Sequence, residues 1–260
     1  MNEPIGVIGG SGLYELLDDA REESVTTPYG DPSSTVSIGQ ISGREVAFLA
    51  RHGRDHEFAP HTINYRANLW ALHALGARTV ITSSAVGSLK PELEPGHFVL
   101  CDQFVDRTSG RIDTFHAGPE VVHISVADPY CPDLRSRAAG VLEGLGETFH
   151  PTGTAVVIQG PRFSTRAESQ WFQAMGWDVL SMTQHPETVL ARELAMCCVN
   201  LSFVSDHDAG VVEGDSPVTG GDVWRLMSQA QPRIRAALSG MIAAIPNNPS
   251  CSCRDALSDI

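Results

Sequence analysis

Two aspartates two residues apart, Asp206 and Asp208, close an apolar stretch in the segment Ser205-Asp206-His207-Asp208. Carboxylates at the end of an apolar strand are not core residues, and a partly buried one can hold a proton and act as a general acid. The same residues would also suit a solvated loop, or a metal site using Asp206, His207 and Asp208. Arg51-His52-Gly53 offers a planar guanidinium fork and an imidazole donor, a plausible seat for an oxyanion, although a surface salt bridge fits equally well. Gly9-Gly10-Ser11-Gly12 can turn backbone N–H groups toward an anion, with Ser11 adding a hydroxyl, or can be a plain tight turn. It lacks the third glycine of a dinucleotide fingerprint. Residues 82–88 place the hydroxyls of Thr82, Ser83 and Ser84 before Ala85 and Gly87, either for phosphate or sugar oxygens or as a polar strand-to-helix turn. Gly160-Pro161-Arg162-Phe163-Ser164-Thr165 supplies a ring that can stack on a heterocycle and a hydroxyl that can donate to one; it also reads as a helix start. Met182-Thr183-Gln184-His185-Pro186-Glu187 lies between a strand and a helix, where an ordinary connection is the plain alternative.

These segments need elements to carry them. Residues 5–8 read as a first strand, 36–41 and 45–50 as a hairpin about Ser42-Gly43, and 79–83, 98–101, 155–158, 179–182 and 198–204 as further strands. Residues 64–75 read as a helix stopped by Gly76. A second helix carries Leu134, Ala138, Val141, Leu142 and Leu145. Residues 165–175 are a helix with Thr165 and Glu168 as a capping box and Gly176 at its end. Another begins at Pro186, and a long terminal helix spans 222–245, where Pro232 is expected to kink it. Alternating strands and helices with continuous apolar strands predict an α/β fold, a single domain over residues 1–246 with a sheet covered on both faces. The early hairpin makes that sheet mixed. Residues 247–260 form a polar tail expected to be loose. Five of the six chemical segments follow a strand end, where open α/β sheets bind ligands.

The chain has 260 residues, enough for a sizeable core, and a net charge of -13. Such acidity repels phosphate backbones and anionic membranes, so neither nucleic acid nor a membrane surface is an expected partner. The single lysine, Lys90, excludes a Walker A loop and any Schiff base elsewhere. A serine hydrolase built on Ser11 is disfavoured, because Gly-Gly-Ser-Gly is not the nucleophile elbow. No basic stretch followed by an apolar one opens the sequence, and the apolar runs are too short or too interrupted to span a bilayer; the expected compartment is the cytoplasm. Of six cysteines, Cys197 and Cys198 read as small core residues. Cys251 and Cys253 form a CxC pair without the second pair or histidines of a zinc site, so free thiols or a redox-labile pair are expected.

The motifs GVIGGSGL, LARHGR, NYRANLWAL, SSAVGSL, PGHFVLCDQFVDRT, ADPYCP, QGPRFSTRAES, MTQHPETVLARE and SDHDAG follow one another over roughly residues 4–245. In this order the chain resembles the purine nucleoside phosphorylase family, in particular its S-methyl-5'-thioadenosine phosphorylase branch. The resemblance implies the nucleoside phosphorylase fold and a pentosyltransferase. Phosphate would attack C1' of the thionucleoside, giving adenine and 5-methylthioribose 1-phosphate, a step of purine and methionine salvage. It places phosphate against Ser11, Arg51, His52, Ser84, Ala85 and Thr183, with Met182 on the ribose and Phe163 and Ser164 at the base. Glu187 is a further substrate-site residue by the same resemblance. Asp206 becomes the acid that protonates N7, and Asp208 the acceptor for the 6-amino group; an acceptor there disfavours 6-oxopurines. A 6-oxopurine nucleoside or methylthioinosine phosphorylase is the alternative, and a non-catalytic nucleotide-binding module a remote one. Val218 and, from a neighbouring subunit, His123 would reach the 5' pocket, implying a homotrimer, with a hexamer also open. No metal or cofactor is implied beyond phosphate as co-substrate. The polar Gln184-His185 pair, unusual before Pro-Glu in relatives, is expected to alter polarity near the ribose. The CxC tail resembles one that takes part in disulfides in some thermostable relatives; two cysteines alone do not imply one here.

Overall fold

Runs of β-branched and aliphatic residues form the central strands: Ile5–Gly9 (β1), Val36–Ile41 (β3), Arg44–Ala50 (β4), Thr79–Ser88 (β5), Thr154–Ile158 (β9), Val179–Ser181 (β10) and Cys197–His207 (β11). Shorter strands are Arg21–Glu23 (β2), Phe98–Val99 (β6), Gln103–Arg107 (β7) and Phe149–His150 (β8). The helices are Tyr65–Ala74 (α1), Pro132–Gly144 (α2), Arg166–Ala174 (α3), Gln184–Glu193 (α4) and Gly220–Ala244 (α5). The structure, a computed structural model, describes residues 3–10, 17, 20–119, 121–214, 216–247 and 249–258.

Local chemistry sets several of these boundaries. Ser42 and Gly43 both take positive φ (51° and 72°), the pair needed to turn β3 tightly into β4. Asn64 caps α1 by accepting from the Ala67 amide, and the expected capping box of α3 is complete between Thr165 and Glu168. In α4, His185 is non-helical (φ -105°, ψ 132°), since proline pushes the preceding residue into extended space; the regular turns begin at Pro186 as expected.

Among the described residues the strands make one mixed eleven-stranded sheet. β11 runs parallel along the whole of β5, from Cys197 beside Thr79 to His207 beside Ser88, with a bulge between Val204 and Asp206. On the other edge of β5 two strands share the space. β1 is parallel to Thr79–Thr82, and β10 is antiparallel at Gly87 and Ser88. The stretch Ser83, Ser84, Ala85, Val86 lies between them with no strand on that edge, so the sheet forks there.

Both faces are covered. One apolar cluster joins Leu134, Ala138 and Leu142 of α2 to Ile234, Leu238 and Met241 of α5 and to Val199, Leu201 and Phe203 of β11. The other joins Leu69 and Leu72 of α1 to Leu190 and Ala191 of α4 and to Val80, Cys198 and Val204. Each fully buried aliphatic side chain contributes about 1.5–3 kcal/mol. Three features depart from expectation. Residues 84–88 continue β5 instead of turning into a helix, because β11 pairs with them throughout. Strand β7 pairs with β9 despite its polar sequence. The tail, expected to be loose, holds a 3-10 turn at Ser252–Asp255 with Cys253 buried.

Candidate active site

The end of β4 delivers Arg51, whose backbone amide bonds to the Gly9 carbonyl at the end of β1. The residue is 1% exposed. Nε lies 2.5 Å from Glu187 Oε1 and Nη2 lies 3.0 Å from Oε2, a two-point grip. Nη1 donates to the Ser83 carbonyl at 2.8 Å, and Nη2 also approaches the Ile8 carbonyl at 3.4 Å. The fork expected to take two phosphate oxygens is thus largely committed to the fold. Glu187, expected in the substrate site, is instead the buried counter-ion of Arg51 behind it.

His52 places Nδ1 2.8 Å from the Phe58 carbonyl. A carbonyl only accepts, so Nδ1 carries the hydrogen and the neutral ring leaves Nε2 as an acceptor. Burial and the adjacent Arg51 push its pKa down to about 4. The simple donor expected from His52 is therefore a neutral ring, suited to the P–OH of a protonated phosphate. Ser84 lies in the fork of β5, where its hydroxyl accepts from Asn200 at 3.1 Å. Thr183 lies between the end of β10 and the start of α4, where its side chain makes no capping bond, and is buried.

Opposite these residues stand the acids. The bulge in β11 sets Ser205 out of register and brings Asp206 beside Gly87. A Cβ on Gly87 would stand 3.1 Å from Asp206 Oδ2, so any larger residue would crowd the acid. Asp206 accepts a 2.6 Å bond from Ser205. Burial pushes its pKa up to about 6; Asp208 reinforces the shift and Ser205 opposes it. Asp208 is buried, and its Oδ2 receives the hydroxyls of Ser164 and Ser169. His207 turns elsewhere, with Nε2 3.2 Å from the Pro91 carbonyl, which removes it from any metal set with the two aspartates.

One cavity of about 320 Å³ joins the two sides. Gly10, Arg51, His52, Ser84, Ala85 and Thr183 line one side, and Phe163, Met182, Asp206 and Asp208 the other. Gly160, at φ 61°, leaves Met182 its place: a Cβ there would stand 2.7 Å from the sulfur. The third wall is α5, through Val223, Trp224, Met227 and Ile234. A cleft of this size, mostly apolar with few polar groups, suits a nucleoside-sized ligand.

The sequence matches the family model described as Phosphorylase superfamily over residues 4–243. The chain belongs to the phosphorylase superfamily. It is 48% identical over 257 residues to the S-methyl-5'-thioadenosine phosphorylase of Thermofilum pendens, covering 98% of this chain and 97% of that protein. It is 49% identical to a purine nucleoside phosphorylase of Streptomyces coelicolor, covering 97% of this chain and 94% of that one. Among solved structures, methylthioadenosine phosphorylase from Schistosoma mansoni in complex with adenine superposes with a TM-score of 0.91 at 34% identity, covering 95% of this chain and 93% of that one. The chain is a pentosyltransferase of this superfamily, with its mixed single-domain fold.

Within this phosphorylase frame the expected site residues that the structure describes sort into three groups. Arg51, His52, Ser84, Ala85, Met182, Thr183, Phe163, Asp206 and Asp208 meet in the cavity. Ser164 and Glu187 stand behind it, bonded to Asp208 and Arg51. His123 is exposed and Val218 half-buried, and neither lines the cavity within one chain. Ser11 lies outside the described residues. Gln184 and His185 do not reach the ribose side: Gln184 bonds to Ser202 at 3.0 Å, and His185 Nε2 faces Asp106 at 3.4 Å. The α5 wall went unassigned in the sequence, although Val223, Met227 and Ile234 recur at helical spacing and carried the signal.

Proposed function

We propose that this chain carries out phosphorolysis of S-methyl-5'-thioadenosine, giving adenine and 5-methylthioribose 1-phosphate, and that the cavity described above is where it does so. The carrying observation is that one cavity holds both an anion seat at the fork of β5 and a protonatable Asp206 on its far side. A phosphate oxygen forms a bond to C1' as the C1'–N9 bond breaks, and the electron pair of that bond goes into the purine ring. Asp206 gives its proton to N7, and the proton that monohydrogen phosphate loses on esterification restores the balance. Positive charge developing at C1' is met by the phosphate itself, so the chemistry calls for no cofactor. Bare Nε2 of His52 accepts from the phosphate hydroxyl, and Ser84 and Thr183 donate to its oxygens.

Asp208, held by Ser164 and Ser169 through Oδ2, presents a carboxylate acceptor. It suits the 6-amino group of adenine and leaves a 6-oxo group facing another acceptor. Val223, Met227 and Ile234 give the methylthio group an apolar berth. The names of the Thermofilum pendens and Schistosoma mansoni proteins support the same substrate. The deciding experiment measures initial rates with methylthioadenosine and with inosine, each with and without phosphate. Adenine release that needs phosphate, with inosine far slower, is expected. Base released equally fast without phosphate would make the protein a hydrolase and overturn the reading.

The chain works as a homotrimer, in which His123 of one subunit completes the 5' pocket of the next. In support, exposed Val121 and Val126 flank His123 in the sequence. Light scattering that returns a monomer at assay concentration would sink this. Among the described residues no helix is long and apolar enough to cross a membrane.

A further inference from the structure

The sequence contains six cysteines, and four of them meet at one point: Cys131, Cys197, Cys251 and Cys253. Their sulfur atoms all lie within 4.8 Å of one another, with Cys197 and Cys251 at 3.2 Å. They come from three places in the fold. Cys131 immediately precedes α2, Cys197 opens β11, and Cys251 and Cys253 sit at the 3-10 turn of the tail. The pair missing from the CxC motif is thus present, but it is contributed from 54 and 120 residues upstream of Cys251, where no local spacing reveals it.

We propose that these four cysteines bind one zinc ion as a tetrathiolate site that clasps the C-terminal tail to the sheet. Zinc holds thiolate sulfurs at about 2.3 Å, so the sulfurs of a tetrahedral site stand about 3.8 Å apart, the scale at which these four converge. Mutual convergence of all four suits a single soft cation; two disulfides would need two separate close pairs instead. Cys131, Cys197 and Cys253 are buried and belong to the same apolar cluster as Leu134 and Ile245, so an ion there would sit away from bulk water. Cys198, the next residue on β11, points to the opposite face and joins the other core cluster. On binding, four S–H protons leave to water and four sulfur lone pairs bond the metal; nothing is oxidised or reduced. Cys197 and Asp206 lie at opposite ends of β11, about 30 Å apart at the rise of a strand, so the ion takes no part in phosphorolysis.

The test uses the full chain purified in a non-thiol reductant, stripped with a chelator, then equilibrated with zinc sulfate or cobalt chloride. One zinc per chain is expected by elemental analysis. Cobalt should give sulfur-to-metal charge transfer and the intense visible bands of tetrahedral thiolate coordination. The double variant Cys251→Ser/Cys253→Ser should lose the metal while keeping its phosphorolysis rate, and Cys198→Ala should keep both. Chelator should lower Tm in the wild type and leave the double variant unmoved. Three results overturn the proposal: less than a tenth of an equivalent of zinc retained by the reduced wild type, full retention by the double variant, or a metal-free chain whose mass falls by four hydrogens when the reductant is removed, which would make the cluster a pair of disulfides.

Discussion

The two sides of the cavity handle charge in opposite ways. On the phosphate side Arg51 is neutralised before any ligand arrives, since Glu187 holds two edges of its guanidinium and backbone carbonyls take others. On the base side, among the described residues, Asp206 has a hydroxyl partner and a second acid nearby, and burial, reinforced by Asp208, keeps its proton on at higher pH. A binding group gains from being fixed, because a buried pair costs little further reorganisation when phosphate enters. A proton donor gains from lacking a cation, because an ion pair would strip it of the proton it must deliver. The anion seat is therefore built for rigidity and the acid for titration.

The sharpest attack on this contrast is Asp206→Asn. It should lower kcat by roughly 10²–10⁴ with little change in KM. In the wild type, kcat/KM should fall as pH rises through about 6, as the acid loses its proton, and the variant should lack that limb. A variant with near-normal kcat would show that another group protonates the base. On the other side, Glu187→Ala leaves the Arg51 charge buried and unpaired, and should cost about 3–5 kcal/mol in denaturant unfolding. The paired change Arg51→Met/Glu187→Leu should recover most of that stability while raising the KM for phosphate; no recovery would mean the pair is not an isolated charge balance.

Smaller effects probe the edges of each side. Asp208→Asn offers a donor in place of an acceptor, and should shift the ratio of rates for methylthioadenosine over methylthioinosine toward the oxopurine by roughly 10–100-fold. An unchanged ratio would remove Asp208 from base recognition. Met227→Ala should raise KM for methylthioadenosine by roughly 10-fold and for adenosine by less, since only the former fills the apolar wall. The smallest effect is on stability. Asp206 has a pKa above its ordinary 3.8, so its charged form costs the fold stability as pH rises from 3.8 to about 6, and the full cost is present above that. Asp206→Asn should therefore raise Tm by about 2–4 °C at neutral pH and leave it unchanged below pH 4. A loss of Tm at neutral pH would contradict the pKa shift on which the acid role rests.

What the sequence decided by itself was local. The turn at Ser42-Gly43, the capping box of Thr165 and Glu168, the start at Pro186 and the apolar strands are written within a few residues, because hydrogen bonds to near neighbours and side-chain periodicity need nothing further away. The ordered family motifs also marked residues that meet in one cavity, down to Asp206 and Thr183. Tertiary structure alone decided their partners. Glu187 is 136 residues from Arg51, and whether it met substrate or guanidinium depended on how α4 returns under the end of β4. The same holds for the fork in β5, which exists only because β1 and β10 stop short of each other, and for Cys197, which reads as a core thiol until the tail folds back onto it. Contacts across such separations carry no periodic trace in the chain, since what creates them is the closing of the sheet and not the conformation of any one segment.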